Sequence, residues 1–162
     1  MIYCICAVEQ GQGIGFKGQM PWPHLAGDMK WFQSLTTDNV VVMGSTTFKS
    51  LGKPLTNRIN VVISSHLYPG ANLTYSDPVE AITDLKLRFS TKKIFIIGGQ
   101  ALYDSVKHLV DVFYVTEIDA SYECDKFFDL QYVKEHTSES HELRHFGATE
   151  EAPAYTIKEY IR

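Results

Sequence analysis

Cysteine is scarce: the 162 residues hold three, an odd number, and Cys4 and Cys6 stand two apart inside an apolar run. With no CxxC spacing, a disulfide scaffold and a structural zinc are disfavoured, and a reducing cytoplasm is the expected setting. Charge of one sign is lacking too. Fifteen Lys and Arg against 19 Asp and Glu leave a net charge of −4. With no basic run, nothing argues for nucleic acid or an anionic membrane as a partner. The first apolar stretch, Met1 to Val8, is too short and lacks the basic start of a signal peptide. No run approaches the roughly 18 apolar residues of a membrane span. The six histidines are assigned no metal.

What is present is strand-length apolar runs, at Ile2–Val8, Val40–Met43, Ile59–Ile63, Ile94–Ile97 and Val112–Ile118. Most are continuous rather than alternating, as in strands covered on both faces. Helical stretches separate them. Ala26–Leu35 carries Met29, Phe32 and Leu35; Pro78–Phe89 follows Asp77 as N-cap; Gln100–Val106 follows a Gly-Gly pair. Two extended segments, roughly Tyr132–Phe146 and Ala154–Ile161, read as a closing hairpin. Alternation of this kind predicts one α/β domain over residues 1–162. The expected architecture is a mostly parallel sheet with antiparallel strands at its C-terminal end. Glu9–Leu25, with glycine at 11, 13, 15 and 18 and proline at 21 and 23, is read as no regular element. A loop of that length is often a lid or a binding loop.

Three features bear on chemistry. Asp28 shares a helix face with Phe32 and Leu35 by its four- and three-residue spacing. It is either a pocket-facing carboxylate of raised pKa or an acid favoured in the first helical turn by the macrodipole. Two strand–glycine–helix junctions, Val40 to Phe48 and Ile94 to Ala101, suit either phosphate approach or close helix–strand packing. Neither matches GxGxxG or GxxxxGK[ST], which disfavours an ordinary Rossmann domain or P-loop. Arg58, opening a strand, is either a carboxylate clamp or a solvated cation.

In order along the chain, Ile5-Cys6-Ala7-Val8, Gly13-Ile14-Gly15, Met20-Pro21-Trp22, Asp28 with Trp31-Phe32, and Met43-Gly44 with Thr47-Phe48 form one signature. It continues through Ser50 to Leu55, Arg58-Ile59-Asn60, Ile63-Ser64-Ser65, Ile96 to Gly99 with Tyr103, and Val115-Thr116. This series resembles the dihydrofolate reductase family from Met1 to about Phe128; beyond it only the length and the closing strands do. The resemblance implies a three-layer α/β fold, with a mostly parallel eight-stranded sheet, an antiparallel C-terminal strand and about four helices, and reduction of 7,8-dihydrofolate to tetrahydrofolate with NADPH. Asp28, supported by Thr116, would promote protonation of the pterin, and Trp22 is grouped with them. Ile5, Ala7, Met29, Phe32, Leu51, Leu55, Ile97 and Tyr103 would wall the substrate, and Arg58 would take its glutamate. Ala7, Ile14, Gly15 and Met20 would approach the nicotinamide, with Ile97 and Tyr103 beside it. Thr46 and Thr47 with Gly99, Gln100 and Ala101 would serve the phosphates, Ser64, Ser65 and His66 the adenosine end, and Gly44, Ser45, Gly98 and Leu102 would complete the cofactor site. Glu9–Leu25 would be the lid.

A monomer is the default expectation, because nothing resembles a dimer helix or an appended domain, and the resemblance implies dihydrofolate and antifolate-type small molecules as partners. Several residues depart from the family pattern. Ser45 stands where a basic residue often binds the 2′-phosphate, Gln100 replaces a third glycine, and Cys124 stands where glycine often precedes the aspartate of a lid-supporting loop. Pro23 is an extra residue, and Gly27 is expected to loosen the acid-bearing helix. The alternatives are a riboflavin-pathway pyrimidine reductase of the same fold, which should lack the pairing of Asp28 with Arg58, and a non-catalytic nucleotide-binding module.

Overall fold

Valine and isoleucine runs with no polar alternation can be satisfied only between two layers, and that is where they lie. In this computed structural model, which describes residues 1–162, the order is β1 (Ile2–Val8), β2 (Gly13–Gly15), α1 (Ala26–Thr36), β3 (Val40–Gly44), α2 (Ser45–Leu51), β4 (Ile59–Ile63), β5 (Leu73–Tyr75) and α3 (Pro78–Arg88). There follow β6 (Ile94–Ile96), α4 (Gln100–Val106), a 3₁₀ turn (Lys107–Leu109), β7 (Val112–Ile118), β8 (Lys126–Phe127), α5 (Leu130–His136), β9 (Glu139–Phe146) and β10 (Tyr155–Ile161). Eight strands form one sheet in the order β5-β4-β3-β6-β1-β7-β10-β9. The pairings from β5 through to β7 are parallel, and β10 runs antiparallel to both its neighbours.

Period-two burial sorts the helices onto two faces. Val40 and Val42 join a cluster with Ile82 and Leu85 of α3 and Leu102 and Val106 of α4. Val41 and Met43 join Phe48 of α2, with Leu35 of α1 packed against them. Three layers result. α3 starts as its residues dictate: the Asp77 carboxylate accepts the Glu80 N–H at 3.1 Å and Pro78 stands at the first position. After β5 the chain returns to insert β6 between β3 and β1, so its course across the sheet reverses beside β1. Ligand crevices form outside the carboxyl ends of strands at such a reversal.

Three expectations need correction. Tyr132 to His136 are helical, not extended, giving five α-helices; Asp129 caps α5 by accepting the Tyr132 N–H at 3.0 Å. Residues 9–25 are not wholly irregular, since β2 pairs with β8 in a separate two-stranded sheet. Gly27 does not loosen α1. A methyl carbon there would stand 2.4 Å from the Phe146 ring and 2.7 Å from Tyr155 Oη. The Gly27 N–H donates to that oxygen at 3.0 Å, an anchor α1 uses because no side chain caps it. Gly27→Ala is therefore expected to cost about 1–3 kcal/mol, as overpacking does, and to lower turnover by displacing α1. Urea unfolding beside steady-state rates checks this.

Candidate active site

α1 lies across the sheet face that carries Ile5 and Ala7 of β1 and Thr116 of β7; Ala7 and Thr116 are register partners. Ile97, just beyond β6, packs into the cluster on the same face. Asp28 comes down on this patch, and its Oδ1 accepts the Thr116 hydroxyl at 2.5 Å. Burial raises its pKa above the ordinary carboxylate range, and the Thr116 hydrogen bond opposes the rise without cancelling it. Both readings of Asp28 find support: it stands in the first turn of α1, and its carboxylate of raised pKa is turned onto the apolar sheet face. An acid that is slow to ionise, on an apolar wall and held by one hydroxyl, is suited to hydrogen-bond a ligand and handle its proton.

Down the same helix face, four and eight residues on, stand Phe32 and Thr36. The Arg58 guanidinium lies 5.9 Å from the Phe32 ring centroid. Its Nη1 donates to Thr36 Oγ1 at 3.1 Å and its Nε to the Thr56 carbonyl at 2.9 Å. No carboxylate pairs with it among the ion pairs of the fold, so it is a held but unneutralised cation. Asn60, fully buried, fixes the loop before it, with Nδ2 donating to the Leu55 and Arg58 carbonyls at 2.8 and 3.1 Å. In the sequence Asn60 stands out only as part of Arg58-Ile59-Asn60, and nothing local marks it as the residue that seats Arg58. Met29 and Leu51 remain partly open to solvent, and Leu55 packs with Ile97 on the second core cluster.

The two glycine junctions become neighbours because β3 and β6 pair in parallel. The Gly44 N–H donates to the Gly98 carbonyl at 2.8 Å. Gly98 has φ +127°, and a Cβ there would meet Tyr103 Oη at 3.4 Å and Thr47 Oγ1 at 3.6 Å. No side chain caps α2 or α4, so first-turn amides stay available where bare glycine backbone lets an anion approach. The residues thus fit a phosphorylated cofactor. Tyr103 donates its hydroxyl to the Ile5 carbonyl at 2.7 Å, tying α4 to β1. Leu102 is buried in the main cluster, leaving its backbone as what it can present.

Gly44 and Ile63 are register partners, so Ser45 and Ser64 follow side by side. Ser65 and His66 are exposed beyond them, with the His66 N–H donating to Ser64 Oγ at 3.1 Å. Two residues outside the sequence-based set join this corner. Tyr68 packs edge-on against Phe48, and its hydroxyl is pulled below its usual pKa by Ser45, Lys49 and Ser64. Lys49, one helical turn from Ser45, lies 5.5 Å from the Tyr68 ring centroid and has no acidic partner.

The lid segment is anchored at both ends. Trp22 is buried with Leu25, Ile118 and Tyr155, edge-on to Tyr122; Met20 is largely exposed. At the root, the buried Glu9 carboxylate accepts the Gly11 and Gly13 N–H groups. Ile14 packs on the main cluster and Gly15 sits in β2. His141-Glu142-Leu143-Arg144-His145 spells HExxH. These residues lie on β9, where four steps of about 3.3 Å set the two histidines about 13 Å apart, too far to share an ion. No group of metal-ligating side chains forms anywhere.

With this geometry in place, comparison with known proteins is specific. The family model "Dihydrofolate reductase" matches residues 1–162. The viral dihydrofolate reductase of Saimiriine herpesvirus 2 is 37% identical over 145 residues, covering 79% of this chain and 68% of that protein. Dihydrofolate reductase of Staphylococcus aureus is 40% identical over 115 residues, covering 71% and 69%. Among solved structures, a dihydrofolate reductase from Enterococcus faecalis complexed with NADP(H) and RAB-propyl superposes with TM-score 0.80 at 28% identity, covering 100% of this chain and 96% of that one.

Proposed function

As this chain belongs to the dihydrofolate reductase family, we propose that its cleft reduces 7,8-dihydrofolate to 5,6,7,8-tetrahydrofolate with NADPH. The observation that carries this is the spacing along α1. The acid and the hydroxyl that holds Arg58 are eight residues apart, about 12 Å at 1.5 Å per residue. A folate has that form: a hydrogen-bonding pterin at one end, a carboxylate tail at the other and an aromatic ring between, beside Phe32.

The reduced nicotinamide, when bound, supplies the hydride. The chain supplies the rest. Asp28 hydrogen-bonds the amidine-like edge of the pterin and promotes protonation of the ring nitrogen next to the carbon that accepts the hydride. Thr116 fixes the carboxylate's orientation. Ile5, Ala7, Ile97, Phe32, Leu55, Met29 and Leu51 form walls that keep water from weakening this interaction. Arg58 binds the glutamate carboxylate with the donors that Thr36 and Thr56 leave free. Gly44, Thr46, Thr47 and residues 98–101 hold the phosphates through backbone amides and hydroxyls. The lid, with Ile14, Gly15 and Met20, closes over the reacting ends. The whole of 1–162 acts as one catalytic domain. It works as a monomer in the cytoplasm, a reading supported by the charged edge strand β9 and by three free thiols.

Lys49, with Tyr68, Ser45 and Ser64, takes over the 2′-phosphate recognition that a basic residue at position 45 would give. Lys49→Met is expected to weaken NADPH binding about tenfold and leave NADH binding unchanged, read by fluorescence titration with both dinucleotides. Equal loss for the two would assign Lys49 another role. The reaction itself is tested by dihydrofolate-dependent loss of reduced-nicotinamide absorbance, with NADPH and NADH side by side. Oxidation only with dihydrofolate supports the reading; none from folded protein rejects it.

A further inference from the structure

Two glutamines hold the segment that follows β8. The Phe127 N–H donates to Gln100 Oε1 at 2.8 Å. The Phe128 N–H donates to the Gln12 carbonyl at 2.9 Å, and the Leu130 N–H to Gln12 Oε1 at 2.9 Å. Gln12 stands at the lid's root, immediately before β2, with φ +65°. Gln100 is the first residue of α4, immediately after the Gly98-Gly99 turn.

The connection runs on into the lid. Gly13 and Gly15 of β2 pair with Phe127 and Lys126 of β8. The Asp125 N–H donates to the Gly15 carbonyl at 2.9 Å, and Asp125 Oδ2 accepts the Lys17 N–H at 3.0 Å. An unbroken line of hydrogen bonds and strand pairing therefore joins the first residue of α4 to Lys17. Packing contributes little to β8 itself, although Phe128 just beyond it is buried edge-on to Tyr103 of α4. Phe127 is 46% exposed, and an open cleft of about 440 Å³, lined by Gln12, Gln100, Asp104 and Lys107 among others, lies alongside. A two-residue strand so placed is positioned by its hydrogen bonds, not by burial, and can shift at low cost.

We infer that Gln100 is a positioning residue that couples the cofactor-binding turn to the lid, its side-chain carbonyl carrying the state of α4's first turn to β8 and so to β2. The inference rests on the reading of residues 98–101 as a phosphate site. A phosphate held at that turn orders the Gln100 backbone, so less entropy is lost when its side chain takes up the Phe127 amide. By linkage, lid closure tightens cofactor binding by the same factor.

The test is amide hydrogen exchange with and without saturating NADPH, on wild type, Gln100→Met and Gln100→Glu. Methionine keeps the length but has no comparable acceptor; glutamate restores one. In wild type, NADPH should slow exchange both at residues 98–102 and at Lys17 and Asp125. In Gln100→Met, protection at 98–102 should persist while that at Lys17 and Asp125 falls about three- to tenfold, the size of one hydrogen bond, and Gln100→Glu should recover it. Undiminished protection of Lys17 and Asp125 in the methionine variant would overturn the coupling and leave the cofactor reading standing. Absence of NADPH protection at 98–102 in wild type would overturn both.

Discussion

Asp28→Asn is expected to lower dihydrofolate turnover at neutral pH by about two to four orders of magnitude, the range associated with a positioned acid–base group. An amide retains a hydrogen-bonding face but cannot promote protonation of the pterin. The deficit should narrow in acid, where the substrate arrives protonated from solution. A steady-state pH profile of the two proteins checks this, and a deficit constant across pH would assign Asp28 to binding alone. Stability should move the other way. Burial raises the folded-state pKa of Asp28 above its ordinary value, so between those two values the folded protein binds more protons than the unfolded one. Stability therefore falls as pH rises through that window. The neutral asparagine escapes this cost, so the variant should be more stable than wild type at pH 7 in urea unfolding, with that difference gone below the ordinary carboxylate range.

Arg58→Ala is expected to raise KM for dihydrofolate about tenfold to a hundredfold, as loss of charge-assisted hydrogen bonds to a carboxylate does. The effect should fall on the tail and not on the ring system. A reducible pterin without the glutamate should be processed by wild type and variant alike, because its contacts lie at the Asp28 end of α1. Thr36 keeps its own hydrogen bond, to the Phe32 carbonyl at 2.8 Å, so the helix should survive the change. Equal losses for both ligands would make Arg58 a structural residue.

Where one layer of apolar residues sufficed to define an element, the sequence could be read closely. Ile2–Val8, Ile59–Ile63, Val112–Ile118 and Gln100–Val106 have the predicted bounds, because an apolar run delimits each strand and a glycine pair marks the start of the helix. β2 and β8 were not readable. They are two- and three-residue strands of glycine, lysine and single apolar residues, and their pairing partners lie more than a hundred residues apart in the chain. α5 was read as strand since Tyr132 and Val133 favour extended structure, while its signal was the Asp129 cap. The helix face of Asp28 was legible from spacing, but its pocket-facing state depends on Thr116, 88 residues away. Gly27 shows the opposite error. Its chain neighbours suggest flexibility, and only the aromatic pair Phe146–Tyr155, stacked at 4.7 Å, shows that its lack of a side chain is needed for packing. The HExxH spelling at 141–145 carries no metal chemistry for a related reason, since strand and helix place the same spacing at different distances.

The central claim is that a half-buried Asp28 governs proton delivery during reduction of dihydrofolate. It is tested most directly by the single-turnover rate of dihydrofolate reduction in wild-type protein saturated with NADPH, followed across pH. The account predicts a rate that falls as pH rises through a pKa above the ordinary carboxylate range, and in Asp28→Asn a lower rate whose fall is displaced to the more acid pH at which the substrate itself loses its proton in solution. A wild-type rate independent of pH, or a break at the same pH in the asparagine variant, would contradict it.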